Sequence, residues 1–578
     1  MANYIDYTYF GKKISDPDGV MVWEQNYETG EIEEKVYNIK DYLYFYVDAT
    51  NKANTVDGMT SQRGTNIQLV KADDFKSFKA GIKALELNSL GLNTYESDIA
   101  PIQKVMLDNY GVDNMKAPKW NLALYDIETD VKTEDSFMKM RDEATSIINA
   151  ISVWYAKPNK FFEFAVVPPI LQDEWDFETI EERGNSEIRY YDNEKEMLIA
   201  FFEMNKKYET VALGAWNGDF FDTKYIYDRC IALWKKPKLV ANMMGRFDSI
   251  TKQKIQRGDK EEILIRPKGM IWYDCLEAYK KNGPELESFA LAAVAEEELG
   301  QSKLDFEGDF EALYHGFRKD RDRFHEITPA KKKKALLAKS REIGDTLVAE
   351  LHDHFAAKAK QDVSLIDAER ETRTQIMITD YLEELLKDEE TIEELGDQIE
   401  HFERFVLYKK FVDTFNLFLD YSIQDTQLLY DLEIKLTKFN TLSMLAQYNV
   451  SSFHDVFSTL KQVEQGITNF AHLNNKKVVI DREYDKAKQP YNQFIDPELL
   501  RIRTKNDYRV MPEDSETIRE YKVLTSQPKI PGAHVLSPNI GLISFDEEVT
   551  PGLAREFKDL RKELEEIDRQ LEAFEEED

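Results

Sequence analysis

Three short stretches hold residues whose types and spacing could do chemistry. In Leu122-Ala123-Leu124-Tyr125-Asp126-Ile127-Glu128-Thr129-Asp130 a mostly apolar run ends in two carboxylates at i and i+2. The period of two of a strand sets Asp126 and Glu128 on one face. Two anions held side by side at the end of a buried strand repel each other and lose hydration, a cost that a cation between them removes. Hard divalent ions such as Mg²⁺ suit such oxygens. The same pattern also describes a strand that runs out into solvent, so this motif does not decide alone.

The second stretch is Ala215-Trp216-Asn217-Gly218-Asp219-Phe220-Phe221-Asp222, which follows the strand-like Glu209 to Leu213. Here a strand delivers Asn217 to a loop, and Asp222 opens a helix over Thr223 to Ala232, where the macrodipole favours negative charge. Helix capping is the alternative role for Asp222. The third is Asp420-Tyr421-Ser422-Ile423-Gln424-Asp425, inside a helix, where Tyr421 and Asp425 stand four apart and share a face. By itself it reads as a surface Asp beside a core Tyr.

Together the stretches are far more specific. Asp126, Glu128, Asp222 and Asp425, in the order strand, loop-to-helix and late helix, are carboxylates that an α/β sheet can gather at the C-terminal end of its first strand. With Tyr421 they make a two-metal phosphodiesterase site for Mg²⁺ or Mn²⁺. In such a site Asp126 bridges both ions, Glu128 and Asp222 complete their shells, Asp425 holds the ion beside the attacking water, and Tyr421 orients that water. The chemistry is hydrolysis with stabilisation of a leaving 3′-oxygen.

The elements that must position these groups alternate strand and helix from Leu122 to Phe317, the pattern of an α/β domain. Residues 1–120 read as a mixed α+β N-terminal module, and 121–433 as the α/β domain, interrupted over 318–410 by a charged, helical composition. Within that insertion Ile343, Leu347, Leu351 and Phe355 fall at steps of four, and Ile378, Leu382, Leu385, Ile392, Ile399, Phe402 and Val406 follow near-heptad spacing, which predicts a helical hairpin. Its apolar faces suit packing on the host domain or a partner. The α/β domain resumes at Phe411 with a helix through Leu432, and 434–485 is a further, mostly helical segment.

Composition excludes several classes. A chain of 578 residues needs more than one core, and Cys230 and Cys275 alone rule out a disulfide framework or a cysteine-rich zinc site. No run of about eighteen apolar residues is present, and Met1 to Asp6 lacks the features of a signal peptide, so no membrane association and a cytoplasmic location are expected. Net charge is −33, from 109 acidic and 76 basic residues, which argues against a broad basic surface coating duplex DNA. A local groove for a single strand is compatible with it.

The three stretches, Asp126-Ile127-Glu128, Asn217 through Phe221-Asp222, and Tyr421 through Asp425, resemble the exonuclease motifs of the DEDDy class in the setting of bacteriophage-type family B DNA polymerases. Asp274 with Tyr279-Lys280-Lys281, Ser288 to Leu291, Leu299 to Asp305 and Thr94 to Gly111 are similar to the family's flanking segments. The resemblance covers about 1–317 and 411–546. The family's Phe-Asp-x-Pro-Tyr is Phe221-Asp222-Thr223-Lys224-Tyr225 here, which keeps the ligand and changes only the helix start. It implies an RNase H-like DEDDy exonuclease fold, a return of 434–485 to the N-terminal domain, and substrate-binding roles for Asn217 and Phe221.

Pro531 to Asp546 resembles the approach to the first polymerase motif, which implies a partial palm over 486–550 and makes Asp546 a possible palm metal ligand. The family's Ser-Leu-Tyr-Pro turn is replaced by Glu547 to Pro551, and neither Asp-Thr-Asp nor Lys-x-x-x-Asn-Ser occurs in the sequence. Synthesis by this chain alone is not expected. From 551 to 578, Leu553, Phe557, Leu560, Leu564, Ile567, Leu571 and Phe574 alternate steps of four and three, an amphipathic seam suited to its own body, to a partner or to a second copy.

The expectation is therefore a 3′-to-5′ proofreading exonuclease, part of a split family B replicative polymerase, acting on single-stranded or primer-template DNA with two Mg²⁺ or Mn²⁺ ions. A second polypeptide would carry the remaining polymerase domains and any sliding-clamp contact, in a virus-infected bacterium. The alternatives are a free-standing DEDDy exonuclease and a catalytically inactive polymerase-like scaffold.

Overall fold

The computed structural model of the chain describes residues 2–11, 16–26, 29–49, 55–61, 64–79, 94–111, 120–130, 143–172, 179–257, 260–281, 283–284, 286–301, 310–360 and 367–477. Asp546, the palm segment 486–550 and the amphipathic segment 551–578 lie outside the described residues.

A seven-stranded sheet carries the first motif and leads into the second. Its strands lie in the order Ile180–Arg183, Ser186–Tyr191, Lys160–Val166, Ile148–Tyr155, Leu122–Thr129, Ala212–Ala215, Ile271–Asp274. Leu122–Thr129, next to the fully buried Ile148–Tyr155, runs antiparallel to it and parallel to Ala212–Ala215, which in turn is parallel to Ile271–Asp274. Ile148–Tyr155 reads as a β-branched and aromatic run with no face left for solvent, as a central strand should. Gly214 has a steric reason: a Cβ there would fall 2.5 Å from the Tyr273 ring on the neighbouring strand.

Helices cover both faces of the sheet. On one, Glu194–Lys207 and Asp222–Trp234 bury Met197, Leu198, Phe201, Tyr225 and Ile226 against Tyr125, Val153, Phe164 and Trp272. On the other lies the 38-residue helix Ile399–Leu436. Its Phe415, Phe418, Leu419 and Ile423 join Ala150, Ala165 and Ile188, while Leu428, Leu429 and Leu432 pack with Leu122, Leu124 and Trp154.

This helix runs without a break through Phe411, so the 318–410 segment and the α/β domain share one rod. On its N-terminal half pack Lys333–Ala359 and Asp367–Leu385, with Phe402, Phe405 and Val406 meeting Ile343, Leu347, Leu351, Phe355, Ile378 and Leu382. Gly344 permits the close approach, since a Cβ there would enter the Phe405 ring. Ile392 of the heptad-like series is exposed instead. It sits on the short Glu389–Leu395 helix, which buries no residue.

Residues before the sheet form two three-stranded sheets, Ala2–Phe10, Gly19–Asn26 and Ile32–Asn38 in chain order, and Tyr44–Asp48 between Ile67–Lys71 and Thr94–Tyr95. The chain comes back to them after the long helix. The Tyr4 hydroxyl lies 2.9 and 2.8 Å from the carbonyls of Ala446 and Ser451, and Lys476–Lys477 pairs with Thr60–Ser61.

Candidate active site

The register of Leu122–Thr129 places Asp126 opposite Ser152 and Glu128 opposite Ala150. Tyr125, Ile127 and Thr129 are buried, while Asp126 and Glu128 alternate with them and are only partly covered. Both carboxylates thus emerge on one face, as the period of two requires. Beyond the strand, Asp130 meets the His315 imidazole at 2.6 Å, tying the strand's exit to the helix Phe310–His315.

The second motif folds into a tight turn after Ala212–Ala215. Asn217 adopts φ +62°, a left-handed conformation that asparagine tolerates better than most residues. Its carbonyl accepts from the N–H groups of Phe220 and Phe221 at 3.1 Å each. The turn is locked at its middle by a buried bidentate pair, Arg266 with Asp219, in which Nη2 lies 2.6 Å from Oδ2. The Asp219 N–H donates to Asp274 at 3.3 Å, and Asp274 in turn caps the helix Cys275–Lys280 through the N–H groups of Leu276 and Glu277. Burial, then the Asp219 charge, pushes the Asp274 carboxyl up to about 7.

Asp222 is the first residue of its helix, and the position before it is Phe221 with no side-chain cap. Asp222 is 2 % exposed. Burial and then the nearby Asp126 charge push its pKa well above the ordinary range, opposed by the backbone N–H groups of Asp222 itself and Ile127. The Tyr125 hydroxyl, 2.9 Å from Thr223 Oγ1, pins this helix start against the strand that bears Asp126.

The third motif arrives on Ile399–Leu436. Asp425 is buried, Tyr421 one turn earlier is partly exposed, and both look into the same space as the other two motifs. One cleft of ≈ 340 Å³ is lined by Asp126, Glu128, Asn217, Phe221, Asp222, Tyr421 and Asp425, with Ile127, Trp216 and Phe220 completing the wall. Every exonuclease-site residue predicted from the sequence is in that wall. Within it, one carboxylate oxygen each from Asp126, Glu128 and Asp425 lie within 4.8 Å of one another, a set of hard oxygen donors that fits a divalent cation. Asp222 stands beside this triad without belonging to it.

Two wall residues, Trp216 and Phe220, are not among those that motif spacing singles out. Trp216 donates its Nε1–H to the Phe289 carbonyl at 3.0 Å, and Phe220 is 8 % exposed. Their signal was position alone, within one turn of Asn217.

Residues 92–294 match the family described as DNA polymerase family B, exonuclease domain. That span contains the first two motifs; the third lies beyond it and reaches the cleft through the fold. The chain is 29% identical over 278 residues to the DNA-directed DNA polymerase of Enterobacteria phage T4, covering 43% of this chain and 29% of that protein. It is 26% identical over 214 residues to the DNA-directed DNA polymerase of Escherichia phage RB69, 34% of this chain and 23% of the relative. Over 142 residues it is 26% identical to the DNA polymerase of Trichoplusia ni ascovirus 2c, 23% of this chain and 13% of that protein. The matches thus span less than a third of these relatives.

Proposed function

With an exonuclease domain homologous to those of phage family B DNA polymerases as the starting point, we propose that this chain removes 3′-terminal nucleotides from single-stranded DNA in a divalent-metal-dependent hydrolysis. The observation that carries the reading is the convergence of Asp126, Glu128 and Asp425 within 4.8 Å in a cleft shared with Asp222 and Tyr421. The sheet order around the first strand supports an RNase H-like assignment: an antiparallel pair on one side of Leu122–Thr129 and parallel strands on the other.

Asp126, Glu128 and Asp425 would hold one Mg²⁺ or Mn²⁺, and Asp222 with Asp126 a second. Such ions supply positive charge at the reacting phosphate and lower the pKa of an attacking water. Tyr421, four residues before Asp425 on the same helix face, lines the cleft, where its phenol would orient that water. Asn217 and Phe221 line the cleft and would meet the terminal nucleotide, and the aromatic residues Trp216, Phe220 and Phe221 in its wall would offer stacking to bases.

Polymerase elements such as Ser-Leu-Tyr-Pro and Asp-Thr-Asp are absent from these 578 residues. We place the exonuclease beside a polypeptide that carries them, in a replicative polymerase assembly; affinity capture from the source cell, read by mass spectrometry, tests that pairing. The catalytic reading is tested by combining Asp126→Ala with Glu128→Ala. On a 5′-labelled single strand, Mg²⁺-dependent 3′ trimming should drop by about 10³-fold or more, since the metal-holding pair is removed, with the circular-dichroism spectrum unchanged. Undiminished trimming by the folded double variant would refute the site.

A further inference from the structure

The helix Thr459–Leu473 is built inside out. Its inward side is polar, with Gln462 and Asn469 buried against the helix Lys438–Asn449 and the residues that follow it. Gln462 donates from Nε2 to Ser451 Oγ at 3.0 Å and accepts at Oε1 from Asn449, and Asn469 donates from Nδ2 to the Tyr448 carbonyl at 2.9 Å. Gly466 permits the approach, since a Cβ there would fall 2.8 Å from Asn449 Oδ1.

The other side is apolar. Leu460, Val463, Ile467 and Phe470 follow one another at steps of three, four and three, which keeps them on one helical face. Leu460 is 67 % and Phe470 69 % exposed, Val463 and Ile467 are half-buried, and none of the four joins an apolar cluster among the described residues. Tyr448, which lends its carbonyl to the neighbour of Phe470, is 61 % exposed and widens the patch. Scattered exposed apolar side chains are ordinary, but a surface helix normally turns its apolar seam towards the core and its polar side towards water. A seam turned outward marks an interaction surface.

The sequence supplies a cover. The described residues stop at Lys477, four positions beyond this helix, and 101 residues follow. Among them 551–578 carries the matching pattern, its apolar residues from Leu553 to Phe574 alternating steps of four and three. Charge favours the pairing: 551–578 holds 11 acidic and 5 basic residues, whereas Thr459 to Lys477 holds Lys461, Lys476 and Lys477 against Glu464 alone. Two copies of the helix would instead set like charges together. Being on the same chain, the segment meets this face in an intramolecular step that an outside partner would have to outcompete.

We infer that the outer face of Thr459–Leu473, seamed by Leu460, Val463, Ile467 and Phe470, is the docking surface for residues 551–578 of the same chain. The apolar seam of that segment is then occupied within the chain and is not the grip on a second polypeptide.

Lysine cross-linking of the full chain with a disuccinimidyl reagent, read by peptide mass spectrometry after a denaturing gel, tests it. Lys461 and Lys476 are exposed beside the face, and Lys558 and Lys562 flank the seam of the segment. Links between the two sets should appear in the monomer band. Combining Leu460→Asp with Phe470→Asp should cut their yield about fivefold or more, because charge is set into an apolar contact, with the circular-dichroism spectrum unchanged. Should that variant not fold, Leu560→Asp with Leu564→Asp makes the same test from the segment and should cut the yield as far. Absence of these links from the wild-type monomer band, or an undiminished yield in the folded variant, overturns the docking. Links confined to the dimer band put the segment of a second copy on the face and overturn it as well.

Discussion

The hydroxyl of Thr426 donates to the backbone carbonyl of Ser152 across 3.3 Å, inside the helix–sheet contact. Ser152 is the register partner of Asp126, and Thr426 follows Asp425, so one hydrogen bond links the neighbours of two candidate ligands that stand 299 positions apart in the sequence. Thr426→Val preserves shape and removes only the donor. It should lower the unfolding free energy by about 1 kcal/mol, read from the urea midpoint, and weaken Mn²⁺ binding measurably. An unchanged midpoint would mean that the bond contributes nothing.

Tyr421 separates orientation from metal holding. Tyr421→Phe keeps the ring in the wall of the cleft and takes away the phenol. Single-turnover trimming of a short single strand should slow by about 10²-fold, while Mn²⁺ affinity stays at the wild-type value. A parallel fall in both would move Tyr421 from orienting water to supporting the ligands.

The Arg266–Asp219 pair holds the turn from which Asp222 emerges, and both partners are buried. Arg266→Leu leaves the Asp219 charge buried without its partner and should cost about 3–5 kcal/mol in chemical denaturation. Adding Asp219→Leu should return most of that loss, because replacing both members of a buried pair is far less damaging than breaking it. If the double variant is no more stable than the single one, the pair acts through shape instead of charge.

Glu433 links stability to pH. Its carboxylate accepts from the Phe439 N–H at 3.0 Å, and burial pushes its pKa up to about 7, against the pull of that N–H and of Lys438. The folded chain therefore holds a proton that the unfolded chain, with an ordinary carboxyl, has already released between about pH 4.5 and 7. The stabilisation is complete below the unfolded pKa and is lost as pH rises through about 7. Glu433→Gln should flatten the fall in melting temperature between pH 5 and 8; an identical slope in wild type and variant would remove Glu433 as its source.

Local spacing made the candidate ligands legible. Asp126 and Glu128 follow from a two-residue period, Tyr421 and Asp425 from a helical turn, and Asp222 from its place at a helix start, each within a window that short-range geometry controls. What supports them was not legible, since Arg183 finds Asp420 237 residues away and Asp219 finds Arg266 47 residues away. Such pairings depend on strand order and on which helix covers which strand. Glu163 did leave a trace, a carboxylate inside Phe161-Phe162-Glu163-Phe164, but a strand alone does not say that the long helix will come to cover its face of the sheet. The long helix begins at Ile399 and not at Phe411, because the charged composition before Phe411 masks a continuous apolar stripe.

That continuity has a mechanical meaning. About 39 Å of helix, at ~1.5 Å per residue, separates Ile399 from Asp425. The outboard stretch is gripped by Lys333–Ala359 and Asp367–Leu385, and the inboard stretch is riveted to the sheet. Asp126 and Glu128 belong to the sheet, whereas Asp425 belongs to the rod. Any load placed on the insertion, by DNA or by another protein, is carried down a stiff lever to one of the three jaws that would close on the cation.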